Sequence, residues 1–114
     1  MKQDTIIKIE KLIEKKEIKE AELELSKLGN QFFNNYEYLY LRGKIFYINK
    51  LYYIAVDTLL TALEFGEDNQ IYNLLAEIYN SLGNEELSNN ILNTAKRSNT
   101  IATLKSQLTG IYKK

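Results

Sequence analysis

Apolar residues along the chain recur at steps of three and four, which is the spacing of one face of an α-helix. Polar clusters, glycines and asparagines separate the apolar stripes, and the chain has no proline to break a helix. The pattern predicts seven helices. Their stripes are Ile6, Ile9, Leu12 and Ile13; Ala21, Leu25 and Leu28; Leu39, Gly43, Phe46 and Tyr47; Ala55, Leu59, Ala62 and Leu63; Tyr72, Leu75, Ala76 and Tyr79; Leu87, Ile91, Leu92 and Ala95; and Ile101, Leu104, Leu108 and Ile111.

The ends of the predicted helices fall at glycines and asparagines. The third helix begins at Tyr36, the fourth ends near Gly66, and the fifth ends at Gly83, where glycine adopts the left-handed conformation of a helix cap. Two segments, "YEYLYL" and "KIFYI", are rich in aromatic and β-branched residues and would also suit strands. Because helical spacing continues on both sides of them, we predict an all-α protein.

The helices repeat at a nearly fixed spacing. Ala21, Ala55 and Ser88 follow one another at almost equal separations along the chain. Other positions return with the same separations, which a chance amphipathic pattern does not produce. They are Leu25, Leu59 and Leu92; Leu28, Ala62 and Ala95; and Leu39, Gly43 and Phe46, which are followed one period later by Tyr72, Ala76 and Tyr79.

A unit of two helices with this period resembles the tetratricopeptide repeat, whose pattern is W-x2-L-G-x2-Y…A-x3-F…P over about 34 residues. The first unit fits least well, because Ile9 and Leu12 stand where a small residue and an aromatic belong. Arg42 replaces a leucine in the middle unit, and no unit ends in proline. The matching residues are Tyr72, Leu75, Ala76, Tyr79, Ser88, Leu92 and Ala95 in the third unit, and Leu39, Gly43, Phe46, Ala55, Leu59 and Ala62 in the middle unit.

The resemblance implies a right-handed α-α superhelix, a solenoid of about seven antiparallel helices that forms a single domain over residues 1–114. In such a fold, small residues such as Gly43 and Ala76 lie where paired helices cross closely. One unit cannot bury its apolar face alone, so stability comes from stacking. The implied repeats cover about residues 2–35, 36–68 and 69–98, and a capping helix covers about 100–113.

The composition excludes most catalytic chemistry. Lys and Arg number 15, and so do Asp and Glu, so no overall positive charge attracts nucleic acid or an anionic membrane. Without cysteine or histidine, the chain lacks thiol nucleophiles, imidazole catalysts and the usual zinc ligands. Glu10, Glu14 and Glu17 alternate with lysines at helical spacing, as on a solvated face. We expect no enzyme activity, no cofactor, no metal and no nucleic-acid partner.

The N-terminal residues bear on the compartment. The segment "MKQDTIIKIEKLIEKKE" has acidic residues throughout and no long apolar run, so it predicts neither a signal peptide nor a membrane span. The absence of cysteine suits a reducing compartment. We therefore expect a cytoplasmic, intracellular protein.

In tetratricopeptide repeats, the first helix of each pair lines a concave groove that holds a segment of another protein. The resemblance therefore implies a non-catalytic protein–protein interaction scaffold or adaptor. Only fragments of the family's clamp for acidic chaperone tails are present, so we expect such tails not to bind. The implied groove residues are Ile6, Glu10, Ile13, Tyr40, Lys44, Tyr47, Asn73, Glu77 and Asn80.

Two alternatives stay open from the sequence. Six of the nine tyrosines fall in the middle unit. Tyr38, Tyr52 and Tyr53, together with Phe32 and Phe33, would form an apolar edge for a homo-oligomer or for a subunit of a larger assembly. The last fifteen residues carry three lysines and no acid, which is typical of a basic amphipathic helix and would suit a membrane-adjacent adaptor.

Overall fold

All regular structure in the described part of the chain is helical. The computed structural model describes residues 4–94. Within this range six α-helices follow one another, and a short 3-10 turn, Gly29–Phe32, separates the second from the third. The helices are α1 Asp4–Glu14, α2 Ile18–Ser26, α3 Tyr36–Ile48, α4 Tyr52–Leu63, α5 Asn69–Ser81 and α6, residues 85–94.

The helices pack mostly against their neighbours in sequence, and the all-α prediction is confirmed for residues 4–94. α1 packs on α2 and α3 packs on α4, while α1 and α2 each also contact α3. Both segments with strand propensity, "YEYLYL" and "KIFYI", lie in α3, where helical spacing overrides local preference. The predicted seventh helix and its capping role over residues 100–113 lie outside the described residues.

The same left-handed turn connects the two helices of each pair. The backbone angle φ is 66° at Lys16, 64° at Lys50 and 83° at Gly83. Because these three residues are separated by the period that separates Ala21, Ala55 and Ser88, the repeat of the side chains is also present in the backbone. The sequence pattern indicates this conformation only at Gly83, where the residue type reveals it.

Two hydrogen bonds make each of these turns a Schellman motif. The left-handed residue donates its N–H to a carbonyl three positions earlier, and the next residue donates to a carbonyl five positions earlier. The same backbone path therefore leads into the second helix of every pair. The hydrogen bonds that span five residues join Glu17 N to Leu12 O, Leu51 N to Phe46 O and Asn84 N to Tyr79 O, each at 2.9 Å.

A glycine at the left-handed position of the second turn should stabilise the protein. Left-handed backbone costs a lysine about 1 kcal/mol, because its Cβ crowds a carbonyl oxygen. We expect Lys50→Gly to raise the free energy of unfolding by about 0.5–1 kcal/mol in urea titrations. Asn49→Gly is the matched control and should lower it, because Asn49 has a φ of −82° and gains nothing from glycine. A destabilised Lys50→Gly protein would contradict the role of this turn.

In the second and third pairs, a polar side chain caps the start of the first helix. Asn35 Oδ1 accepts a hydrogen bond from Tyr38 N at 3.0 Å, and Asp68 Oδ1 accepts one from Gln70 N at 2.8 Å. Asp68 lies one period after Asn35 in the sequence. Such side chains satisfy amide groups that have no partner inside the helix. Local sequence therefore determines where α3 and α5 begin.

The first pair packs through a small residue and is bridged at its surface. Ile9 on α1 and Ala21 on α2 are both buried. Lys8 Nζ lies 3.5 Å from Glu24 Oε2, and Lys27 Nζ lies 3.3 Å from the same oxygen. The hydrogen bond from Lys27, assisted by the charges of Lys27 and Lys8, lowers the pKa of the Glu24 carboxyl. Because these groups lie at the surface, water screens their contribution to stability.

The second pair crosses most closely at Gly43. A Cβ at this position would lie 2.8 Å from Leu59 Cδ2 and 3.5 Å from the Ala55 carbonyl oxygen. Leu59, Ala55 and Ala62 are all fully buried along α4. The sequence-based prediction of a close crossing at Gly43 is therefore confirmed.

The third pair repeats this contact with different chemistry. Ala76 lies one period after Gly43, and Ser88 lies one period after Ala55. Ser88 Oγ donates a hydrogen bond to the Ala76 carbonyl oxygen at 2.8 Å, and Ser88 is buried. The two repeat positions that meet between α3 and α4 thus also meet between α5 and α6.

Contacts divide the described chain into two compact units, residues 4–71 and residues 72–94, and the division falls within α5. In the second unit, Leu75 and Ile78 are fully buried on α5. Leu92 on α6 is exposed, although its repeat equivalent Leu59 is buried. α6 is the last described helix, so no described helix follows it to cover this side chain.

Candidate functional site

α1 and α3 border a cleft of ≈ 280 Å³ in the first unit. Glu10 and Ile13 line it from α1, and Tyr40 and Lys44 line it from α3. Lys44 Nζ lies 5.8 Å from the centre of the Tyr40 ring, a cation–π contact that holds the two side chains together. The cleft therefore brings together four of the nine predicted groove residues. The rest of its lining is Glu14, Leu41 and Gln70.

Two of the predicted groove residues belong to the core. Ile6 is 1% exposed and Ile13 is 7% exposed, so helix packing requires both side chains. α1 has one apolar stripe, Ile6, Ile9 and Ile13, and this stripe must face α2 and α3 for the helix to pack at all. Ile13 still contributes to the wall of the cleft, whereas Ile6 does not.

Tyr47 lies outside the lining of the cleft. It is half-buried, and its ring centre lies 5.7 Å from that of Tyr52 at the start of α4. This contact fixes the side chain near the turn that joins α3 and α4. Its predicted role in a groove stays a prediction.

Asn73, Glu77 and Asn80 lie on α5 in the second unit, and all three are exposed. Steps of four and three residues place them on one face of the helix. Buried Leu74 and Ile78 lie between them in sequence, so packing uses other faces. These three side chains are accessible for contact, and their part in a groove stays a prediction.

Carboxylates outnumber cations around the cleft. Glu10 and Glu14 face the single cation Lys44 in its lining, and a cavity of ≈ 20 Å³ beside it adds Glu37 and Asp68. This charge balance favours cationic or neutral ligands over acidic ones. In the part of the chain that the structure describes, no three Asp or Glu side chains are placed so that they could hold one metal ion.

The aromatic residues of the middle unit do not act as one exposed edge. Tyr38 is buried, and the ring centres of Phe32 and Phe33 lie 6.3 Å and 5.9 Å from its own. The prediction that Tyr38 belongs to an apolar edge is therefore wrong, because its side chain packs inside the first unit against the segment before α3. Tyr52 is half-buried, whereas Tyr53 is 80% exposed.

A second cavity, of ≈ 330 Å³, lies between α2 and α3 and was not predicted from the sequence. Arg42 lines it, and Arg42 occupies the position of Leu75 in the third unit. The replacement of a repeat leucine by arginine is visible in the sequence and is the one signal for this site. The other lining residues are Glu22, Leu25, Ser26, Tyr38, Ile45, Phe46, Asn49 and Leu51.

Comparisons with protein-family models, with curated proteins and with solved structures found no match. The tetratricopeptide resemblance therefore depends on the residue pattern and its period. Among residues 4–94, no helix has both the length and the apolar character needed to cross a membrane. The C-terminal segment whose basic amphipathic pattern suggested a membrane-adjacent adaptor lies outside the described residues.

Proposed function

We propose that the protein is a non-catalytic scaffold of the tetratricopeptide type that binds a segment of another protein. The observation that carries this proposal is the cleft between α1 and α3, the first helices of consecutive pairs. The recurring Schellman turns at Lys16, Lys50 and Gly83 support a repeat of helical hairpins. In this proposal the pairs stack into a right-handed superhelix, and residues 100–113 cap it.

The lining of the cleft suggests how a ligand would be held. Tyr40 is half-buried and offers an aromatic face with a polar tip, which suits adaptable contact. Glu10 and Glu14 would attract cationic side chains of the ligand. An acidic tail would be repelled by the same two glutamates, and this supports the expectation that acidic chaperone tails are not the ligand.

A pull-down from native lysate with mass-spectrometric identification tests the proposal. The parent protein is compared with a variant that carries Tyr40→Ala, Lys44→Glu and Glu77→Lys. We expect this variant to recover at least about tenfold less of a specific partner, because side chains at the centre of an interface carry most of its affinity. Circular dichroism of the variant shows whether the fold is kept, which we expect because none of the three side chains is fully buried.

A matched control variant carries the same three types of substitution on or beside the second helices of the pairs. Lys19→Glu, Tyr53→Ala and Glu64→Lys alter three exposed side chains on or beside α2 and α4. We expect this control to keep the partner. Partner loss in the control, with retention in the cleft variant, would move the binding surface to the second helices and contradict the proposal.

The exposed apolar side chains around α4 favour a second candidate function, a subunit of a homo-oligomer or larger assembly. Five large apolar side chains on or beside α4 are exposed, and exposed apolar side chains that lie together form association surfaces. Light scattering at high micromolar concentration tests the homo-oligomer: a mass of 13.3 kDa excludes it, and a discrete dimer supports it. The side chains concerned are Leu51, Tyr53, Ile54, Leu60 and Phe65.

A further inference from the structure

An arginine occupies a position that the next unit fills with a fully buried leucine. Arg42 lies one period before Leu75, and Leu75 is 0% exposed. Arg42 is half-buried at the edge of the ≈ 330 Å³ cavity between α2 and α3. The first unit holds Lys8 at the equivalent position, so a cation occurs here in two of the three units, and what distinguishes Arg42 is its surroundings.

Aromatic side chains hold the guanidinium of Arg42 in place. Its Cζ lies 5.8 Å from the centre of the Phe33 ring and 5.5 Å from that of Phe46. Its Nη1 donates a hydrogen bond to Tyr38 Oη at 3.1 Å, which uses one of the five N–H donors of the side chain. No carboxylate within residues 4–94 forms an ion pair with it. The group is thus positioned by aromatic rings and keeps donors for an anion.

The cavity beside Arg42 has mostly apolar walls. Its volume lies at the lower end of the range of small-molecule sites, about 300–1,000 Å³. Glu22 is the one carboxylate in the lining, and it accepts a hydrogen bond from Asn49 Nδ2 at 2.7 Å. A ligand that matches this site needs an apolar body and an anionic group. The apolar walls are formed by Leu25, Tyr38, Ile45, Phe46 and Leu51.

We propose that this cavity binds a small organic carboxylate with an apolar tail, whose head group pairs with Arg42. A planar guanidinium binds a carboxylate through two parallel N–H···O bonds, which the remaining N–H donors of Arg42 allow. The tail lies against Leu25, Ile45 and Leu51, where it loses contact with water. This site is separate from the cleft between α1 and α3, and it does not depend on the proposed scaffold function.

Titration of the full chain with octanoate tests the proposal. Isothermal calorimetry gives the affinity, and NMR shifts of the Leu25, Ile45 and Leu51 methyl groups locate the ligand. We expect saturable binding with a Kd at or below about 1 mM. Octan-1-ol and octylammonium have the same tail without the anionic group, and both should bind at least about tenfold more weakly. Hexanoate should bind less tightly than octanoate, by roughly fourfold per missing methylene.

Two variants separate the role of Arg42 from general effects. Arg42→Gln keeps a polar side chain without the positive charge, and Arg42→Leu introduces the residue type found at Leu75. Both should weaken octanoate binding at least about tenfold while the urea midpoint shows a folded protein. Lys19→Gln removes an exposed cation from α2, outside this cavity, and should leave octanoate binding unchanged.

Three results would each overturn the proposal. One is the absence of saturable octanoate binding by the parent protein. Another is equal octanoate affinity in the parent and in Arg42→Gln. The third is octylammonium binding as tightly as octanoate, which would mean that Arg42 does not select the head group. None of these results bears on whether a protein partner occupies the cleft between α1 and α3.

Discussion

Replacing Leu59 with alanine should lower the free energy of unfolding by about 3 kcal/mol. Leu59 is 0% exposed and lies on α4 at the point where α3 crosses it. Gly43, which packs against it across the crossing, has no side chain to fill the space that alanine would leave. The loss is therefore both of buried apolar surface and of packing around a cavity. Urea unfolding followed by circular dichroism measures it.

The adjacent leucine provides the control. Position 60 is also a leucine and lies on the same helix, but Leu60 is 46% exposed. Leu60→Ala should change the free energy of unfolding by no more than about 0.5 kcal/mol. Equal losses in the two variants would show that α4 does not present Leu59 to α3, and the packing of the second pair would then be wrong.

Replacing Gly43 with leucine should also destabilise the protein by about 3 kcal/mol, for the opposite physical reason. A Cβ at this position already meets Leu59 Cδ2 at 2.8 Å, and a longer side chain must push α3 away from α4. The gain of about 1 kcal/mol in helix propensity on replacing glycine does not offset this overlap. The same urea titration measures the change, and an unchanged midpoint would contradict the close crossing.

The two changes should compensate each other in part. Leu59→Ala removes the atoms that a side chain at position 43 meets, so the double variant should lose less stability than the sum of the single losses. We expect a coupling of about 1–2 kcal/mol, within the range for residues in direct contact. Additive losses would show that Gly43 and Leu59 do not share the crossing.

The helices and their pairing were predictable because they depend on short-range features. The apolar stripes predicted α1 to α5 and the start of α6, and the small residues predicted the crossing at Gly43. The left-handed turn was predictable at Gly83, because glycine is the residue type that adopts this conformation easily. At Lys16 and Lys50 the residue type gives no such signal, and only the hydrogen bonds reveal the turn.

The candidate site was less predictable, because helical spacing does not say which face meets another helix. The repeat position of Ile6 predicts a groove residue, yet Ile6 is buried against neighbouring helices. The residue type of Tyr38 suggests a surface position, yet Phe32 and Phe33 cover it. By contrast, Tyr40 and Lys44 do line a cleft with residues of α1.

By itself the sequence determined that residues 4–94 are mainly helical, the period of the repeat, and the small residues, Gly43 and Ala76, at which the helices of a pair meet. These are properties of hydrogen bonding and side-chain size within one hairpin, so neighbouring residues suffice to specify them. Only the tertiary structure decided which aromatic residues are buried and that Arg42 stands beside an open apolar cavity. Burial depends on how closely helices from different pairs approach, and that distance results from the whole set of packed side chains rather than from any local pattern.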